Sequence, residues 1–214
     1  MMGRMTKRVM GGAGPRGAAR RVLAVGGGLL LAGLGLLGLE GCAPVEPPAP
    51  PGPPPLEAVL ARLPAEVAGF QRGAVQDVAP GDPGAGKVVE YITPRRVAVA
   101  YVFLYDLGRP AVTEADLPPE VERAVSEATA LPSDRTGRQL SVASRSSLPA
   151  GGGNLSCAAL DGSFGRMRVE RQVCVGVAAG RFLRVQVTMP NRPSGPVADP
   201  LAFSSGVAAA VRGG

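Results

Sequence analysis

The residues that come closest to a known chemical motif are 81–87, with the sequence GDPGAGK. Their spacing matches a phosphate-binding loop, in which backbone amides and a lysine surround phosphate and a following Ser or Thr hydroxyl binds magnesium. Val88 stands where that hydroxyl would be. The apolar stretch that follows indicates a strand, whereas a phosphate site needs the N-terminus of a helix. The segment therefore predicts a turn between two strands, and we expect no bound nucleotide.

The ionisable residues do not form a recognisable catalytic set. The sequence contains no histidine, the usual general base near neutral pH and the commonest metal ligand. Five carboxylates lie before and along a predicted helix and are interpreted as a solvated face: Glu114, Asp116, Glu120, Glu122 and Glu127. With no tryptophan and three tyrosines, few side chains could stack on sugars or bases. We predict that the chain is not an enzyme and holds no cofactor or metal; a carboxylate hydrolase is the remaining catalytic alternative.

Two of the three cysteines, Cys157 and Cys174, lie on neighbouring predicted strands that flank a turn at 161–165. Their proximity favours a structural disulfide in an oxidising compartment. The alternation of side chains argues against it, because Cys157 belongs to an inward set with Leu155 and Ala159, whereas Cys174 alternates with polar positions. The sequence leaves the pairing open. Without a C-x-x-C arrangement, we expect no redox role.

The third cysteine, Cys42, follows an uncharged apolar run, residues 22–39. The stretch Leu39-Glu40-Gly41-Cys42 resembles the lipobox of bacterial lipoproteins, where the signal peptide is cut before a cysteine that becomes acylated. Leu39 and the small Gly41 fit that motif, whereas an acidic residue at Glu40 is unusual. The run is short for a membrane span and contains six glycines. We therefore predict lipid attachment at Cys42; an uncleaved anchor and a conventional secreted form are the alternatives.

Positive charge is concentrated ahead of Cys42. The chain has 23 basic and 17 acidic residues, and six of the basic ones precede Cys42 together with one acid, Glu40. The remainder therefore carries a net charge of +1. A basic segment before an apolar one is the layout of a secretory signal, and Arg20-Arg21 also resembles a twin-arginine signal, so the export route stays open. Because the excess charge belongs to the removed segment, no nucleic-acid partner is expected.

Composition divides the chain into three segments. Residues 1–41 form the predicted signal peptide, and residues 42–55 contain the lipidated cysteine and a proline-rich linker. Such a linker adopts an extended polyproline conformation of about 3.1 Å per residue, which gives a spacer on the order of 40 Å. Residues 56–214 are long enough for one domain that buries about two-thirds of its surface.

Local patterns predict three helices and seven strands in that domain. Helices are predicted from Leu56 after Pro55, from Pro118, and from Pro200 with Asp199 as N-cap and with Leu201, Ala208 and Val211 as core contacts. Strands are predicted over 70–78, 87–93, 96–106, 139–147, 155–160, 167–177 and 183–189. The run 96–106 is apolar on both faces, which is typical of a central strand in a covered sheet. The last two strands alternate apolar and polar residues, which predicts a hairpin with one dry and one wet face.

The order of these elements predicts an α+β domain, a single antiparallel β-sheet of about 6–7 strands with helices packed on it. In order and size, residues 56–214 resemble the PsbP-like fold, through the helix after the long central strand and the hairpin sequence GRFLRV at 180–185. Members of that fold act as binding or assembly accessories. The resemblance therefore implies a role without catalysis.

These observations predict a membrane-tethered lipoprotein of the cell envelope that faces the periplasm and acts as a non-catalytic binding or assembly accessory. Ala43 after Cys42 favours the outer membrane over the inner one if the cell is Gram-negative. The expected partners are the membrane, through the lipid anchor, and another envelope protein. The alternative function is a carrier of a small apolar or lipidic ligand, suggested by the apolar strand around 97–104.

Overall fold

The computed structural model describes residues 52–130, 138–192 and 197–213, all of which belong to one unit, Pro48–Gly214. The predicted signal peptide 1–41, Cys42 and most of the linker 42–55 lie outside the described residues.

An antiparallel sheet of eight strands forms the framework of the domain. The strands are β1 (Glu66–Val67), β2 (Phe70–Asp77), β3 (Lys87–Ile92), β4 (Val99–Tyr105), β5 (Arg138–Ala150), β6 (Gly153–Phe164), β7 (Met167–Ala178) and β8 (Arg181–Pro190). Their spatial order is β1-β2-β3-β4-β8-β7-β6-β5. The α+β class with one antiparallel sheet is as predicted, but the predicted number of 6–7 strands is too low. The additional strand is β1, whose two residues are too short to show an alternating pattern.

In the part of the chain that the structure describes, three α-helices pack on this sheet: α1 (Leu56–Leu60), α2 (Leu117–Thr129) and α3 (Pro200–Arg212). The predicted start of α3 is confirmed, since the Asp199 carboxylate accepts hydrogen bonds from the backbone N–H groups of Leu201 and Ala202 at 3.0 and 2.9 Å. Ala208 and Val211 are buried as predicted. The predicted core contact of Leu201 is wrong, because this residue lies in the first turn on the solvent side and is 44% exposed.

The helices cover opposite faces of the sheet and create two cores. The residues of α1 and α3 enclose one core, in which the Phe203 ring lies 4.7 Å from Phe70 and 5.2 Å from Tyr91 between ring centroids. The other core lies under α2 and includes Val175 and Phe182. A sheet covered on both faces explains why its central strands carry apolar residues at successive positions.

The β7–β8 hairpin differs from the prediction. Its turn has two residues, Ala179 and Gly180, both with positive φ, and Ala178 pairs with Arg181. A two-residue turn places odd-numbered residues of β7 opposite even-numbered residues of β8, so Val175 lies beside Arg184. The apolar sets of the two strands therefore face opposite sides. The predicted hairpin with one wet and one dry face is wrong, because each face is covered by a helix.

The register between β6 and β7 brings the two cysteines together. Phe164 pairs with Met167 around a two-residue turn. Seven residues further along each strand, Cys157 therefore lies directly opposite Cys174, with 4.0 Å between Cα atoms. They form a disulfide in the core under α3. Ala159 is exposed, so the inward set predicted for β6 is wrong at that residue. A cross-link of this kind contributes about 2–4 kcal/mol to stability.

The end of the proline-rich linker lies along the β7–β8 turn. The Arg181 guanidinium donates a hydrogen bond to the carbonyl oxygen of Pro54 at 2.7 Å. A Cβ atom at Gly180 would come within 2.8 Å of the Pro53 ring, so the linker fits closely against this glycine. The last residues of the predicted spacer are therefore held by the domain.

Candidate binding cleft beside helix α2

A cleft of about 610 Å³ opens on the face of the sheet that carries α2. The helix packs chiefly on β7 and β5. Because β8, β4 and β3 follow β7 in the sheet, the side of α2 forms a wall beside their side chains. The cleft is the space between the side of α2 and the surface of these three strands.

The floor of the cleft is aromatic. Alternation along β4 directs Tyr101, Phe103 and Tyr105 to the α2 face, while the residues between them fill the opposite core. Val88 of β3 lies opposite Phe103 and extends the floor. The Tyr101 and Phe103 rings lie 6.4 Å apart and are both half-buried. The floor therefore offers apolar surface to a ligand.

The rim of the cleft is formed by two turns, one of which contains residues 81–87. The Asp82 carboxylate accepts a hydrogen bond from the Gly84 N–H at 3.0 Å, and the Gly84 carbonyl accepts one from the Leu107 N–H at 2.8 Å. A Cβ atom at Gly84 would approach the Gly108 nitrogen to 2.5 Å, so the glycine permits one turn to pack on the other. As predicted, this segment is a turn that leads into β3. Val78 and Leu107 lie at the rim of the cleft, and they are 45% and 49% exposed, respectively.

A set of ion pairs joins the wall of the cleft to its floor. Glu127 of α2 accepts hydrogen bonds from Arg123, on the same helix, and from Arg184 of β8, the latter at 2.6 Å. Arg123 also pairs with Glu120, which accepts a hydrogen bond from the Tyr105 hydroxyl. These contacts hold α2 against β4 and β8.

Arg184 is the most deeply buried charge in the cleft. Its side chain is 11% exposed, and its guanidinium lies 5.1 Å from the centre of the Phe103 ring. One of its terminal nitrogens donates to Glu127, and the other to Gln186 at 3.3 Å. Its Nε atom is buried without a hydrogen-bond partner among the described residues. Such unpaired donors are rare in proteins.

Burial and charge set the protonation of two groups in the cleft. Burial raises the pKa of Tyr105 well above its ordinary value, and the neighbouring Glu120 adds to this effect, so the phenol stays neutral and donates. Partial burial acts to raise the pKa of Glu127, but the hydrogen bond from Arg184 and the charges of both arginines outweigh it and lower this pKa. Glu127 is therefore ionised at neutral pH and is a weak base.

The predicted solvated face of acidic residues on α2 is wrong for Glu120. This carboxylate is 4% exposed and is enclosed by Tyr105 and Arg123. Glu122 agrees better with the prediction, since it is exposed and forms a two-point pair with Arg145 at 2.7 and 3.0 Å. Asp116 accepts hydrogen bonds from Thr113, which lower its pKa.

Two of the three cysteines predicted as site residues take no part in the cleft. Cys157 and Cys174 lie in the core on the other face of the sheet, and Cys42 is outside the described residues. In the described ranges, no group of three or more Asp, Glu, Cys or His side chains is placed to hold a metal ion. Within the same ranges, none of the helices has the length and hydropathy needed to cross a membrane.

The cleft residues were not predicted as a site from the sequence. The sequence shows that the strand around 97–104 is apolar. Which of its side chains face a filled core and which face a cleft depends on how far α2 extends over the sheet. The most useful sequence signal is Arg184, a cation between apolar residues in a predicted strand.

Comparisons with known proteins give little beyond this geometry. No protein-family model matches the chain, and no curated protein matches its sequence. Among solved structures, the chain is similar to the solution structure of cyanobacterial PsbP (CyanoP) from Synechocystis sp. PCC 6803, with 15% identity and a TM-score of 0.34. The match covers 58% of this chain and 82% of that one. A likeness of this size does not bear on function, so the cleft is interpreted from its own side chains.

Proposed function

We propose that this chain is a non-catalytic, membrane-tethered domain of the cell envelope that binds a small apolar or lipidic ligand in the cleft beside α2. The observation that carries this proposal is the cleft itself. Its volume of about 610 Å³ falls within the range of about 300–1,000 Å³ that is typical of small-molecule sites. Apolar walls with a few convergent polar groups are the composition such sites usually have.

The ionisation of the cleft supports binding over catalysis. General acid–base chemistry needs a group whose pKa lies near the working pH. The pKa of Tyr105 is raised far above neutrality, and that of Glu127 is lowered by its arginine partners. Each of these groups is already paired and would exchange protons poorly.

The predicted lipid at Cys42 supports a location beside the membrane. An acylated cysteine followed by the proline-rich linker would hold the domain within reach of the bilayer. A cleft with an apolar floor is suited to molecules that partition between membrane and water. The predicted lipid anchor and the apolar cleft therefore both favour a ligand that partitions between membrane and water.

A tryptophan reporter tests the proposal, because the chain contains no tryptophan of its own. Val78→Trp places the indole at the rim of the cleft, and Val142→Trp places one at a similarly exposed position on β5. Dodecanol and dodecanoate, titrated below micelle formation, should shift the emission of Val78→Trp and leave that of Val142→Trp unchanged. If neither amphiphile changes the emission of Val78→Trp, or both reporters respond equally, the proposed function is wrong.

A second candidate function is the predicted accessory role toward another envelope protein, and the edge of the sheet favours it. β5 ends the strand order and, within the described residues, pairs with β6 alone. It is thirteen residues long, and most of its side chains whose exposure is described are exposed. Such an edge can accept a strand from a partner.

Photo-crosslinking in the native envelope followed by mass spectrometry tests this second function. Crosslinkers at Ser144 and Ser146 of β5 should capture one and the same protein, and a crosslinker at the exposed Arg166 turn should not. Recovery of no partner above an untethered control would count against it.

A further inference from the structure

The charges of the cleft favour an anionic ligand, and this inference rests on the proposed binding function. Three guanidinium groups line the cleft, those of Arg123, Arg171 and Arg184. Among the lining residues that the structure describes, Glu127 is the one carboxylate. The described lining therefore places guanidinium groups, two of them bound to one carboxylate, beside an apolar floor. This combination complements a molecule with an acidic head and a hydrocarbon body.

Arg184 has the properties of a residue that binds the acidic head group of a ligand. Its guanidinium is almost fully buried, lies on the Phe103 ring, and keeps one N–H donor without a partner among the described residues. The planar fork of a guanidinium suits a carboxylate held at two points. A buried and incompletely paired arginine gains more from an incoming anion than an exposed one, because water screens it less.

Glu127 shows that a carboxylate fits this position. Its carboxylate lies between Arg123 and Arg184, with 2.6 Å to the Arg184 nitrogen. The Glu127 side chain is nevertheless 45% exposed, so it has open space on one side. It therefore occupies the place of a ligand head group as an internal counter-ion that can turn away into solvent.

An apolar surface adjoins the charged side chains of the cleft. Phe103 lies under Arg184, and Val88 adjoins Phe103 across the β3–β4 pair. Exposed Val78 and Leu107 continue this surface to the rim. An alkyl chain attached to a carboxylate at Arg184 would have continuous apolar contact from the floor to the opening.

We propose that the cleft binds a single-chain carboxylate amphiphile, a fatty acid by chemical class. Its carboxylate replaces that of Glu127 between Arg123 and Arg184, and its alkyl chain lies over Phe103 and Val88 toward Val78. Glu127 then acts as a competitor that lowers the affinity of the site and returns when the ligand leaves.

The test uses the full chain in lipid nanodiscs, with empty nanodiscs as the blank and the Val78→Trp emission as the readout. Dodecanoate should bind more tightly than dodecanol. In this background Glu127→Gln should tighten dodecanoate binding by roughly fivefold, the weight of one partly exposed ion pair. Arg184→Gln should weaken it by at least roughly tenfold, the weight of hydrogen bonds to a charged group.

Glu122 and Arg145 provide matched controls, because their two-point pair joins α2 to β5 outside the cleft lining. Glu122→Gln and Arg145→Gln should leave dodecanoate binding unchanged. Since Arg184→Gln could unfold the domain, Arg123→Gln at a 43% exposed side chain serves as a second variant and should also weaken binding.

The outcomes separate this inference from the proposed function. Equal binding of dodecanol and dodecanoate, or unchanged or weaker dodecanoate binding in Glu127→Gln, would overturn the inference and leave the cleft as an apolar site. Tighter binding of dodecyl phosphate than of dodecanoate would overturn the choice of a carboxylate head. Absence of binding by all three probes would overturn the proposed function as well.

Discussion

Asp161 and Glu170 are like charges placed directly opposite each other on β6 and β7. Partial burial raises the pKa of Glu170, and the charge of Asp161 raises it further. A carboxyl group with a raised pKa binds its proton more readily in the folded chain than in the unfolded one. Stability is therefore lower above the pKa of the folded state, where Glu170 is ionised, and this loss disappears below the pKa of the unfolded state.

Glu170→Gln should stabilise the domain at neutral pH by about 0.5 kcal/mol, the usual size of a like-charge cross-strand pair. The gain should disappear at about pH 3.5, below the ordinary pKa of glutamate. Urea unfolding of both proteins at the two pH values measures it. Asp161→Asn should give a similar gain at neutral pH, and the double variant no more than either single one. A Glu170→Gln protein less stable than the parent at neutral pH would show that the repulsion is not the dominant effect.

The burial of Glu120 is a feature of a single residue that the sequence did not predict. It lies on the buried stripe of α2 with Leu117, Ala124 and Ala128, so its spacing alone placed it toward the sheet. An unpaired carboxylate buried at such a position would be costly. The Tyr105 hydroxyl, fifteen residues earlier on β4, resolves that cost. Local patterns cannot show a partner supplied by another element.

At the scale of elements, the positions of helices and strands followed from the sequence much better than their faces did. Helix starts depend on local signals such as Asp199-Pro200, and strands depend on alternation over a few residues. Which face a strand presents depends on turn length, and the two-residue turns before β7 and β8 reversed the parity assigned to each strand separately. The position of the cleft depends on how much of the sheet α2 covers. This is a property of the tertiary structure, and no local sequence pattern indicates it.

Two turns share the sequence Ala-Gly and the same left-handed backbone. Ala68-Gly69 joins β1 to β2, and Ala179-Gly180 joins β7 to β8, with φ of 48° and 50° at the alanines. Positive φ at both central residues matches the right-handed twist of a hairpin. Alanine is a poor residue there, since its Cβ disfavours this region, whereas asparagine adopts it readily.

Ala68→Asn should therefore stabilise the domain, by about 0.5–1 kcal/mol, because it relieves strain in an exposed turn. The midpoint of urea unfolding followed by circular dichroism measures the gain. Ala159→Asn, at an exposed position within β6, is the matched control and should give no gain, because asparagine is disfavoured in strands. Equal shifts in both variants would mean that the turn conformation is not the cause.

For the whole molecule, the charge distribution bears on the proposed attachment of the domain to a membrane. The chain from Cys42 onward has a net charge of +1, which is too small to attract it strongly to an anionic bilayer. The linker ends against the β7–β8 turn through Arg181, and Arg181 also lies 3.9 Å from Asp106, close to the rim residue Leu107. The described end of the proline-rich linker therefore lies at the end of the sheet where the cleft has its rim.

The lipobox-like stretch Leu39-Glu40-Gly41-Cys42 predicts that membrane attachment depends on acyl chains at Cys42. Cells grown with an alkyne-tagged fatty acid should label the parent protein, and Cys42→Ala should abolish the label. Cys157→Ala with Cys174→Ala is the control: both cysteines lie in the disulfide, so the label should remain. A version in which residues 1–42 are exchanged for a cleaved secretory signal should be released from the membrane fraction. Labelling that survives Cys42→Ala, or a membrane fraction unchanged after the exchange, would refute acylation as the anchor.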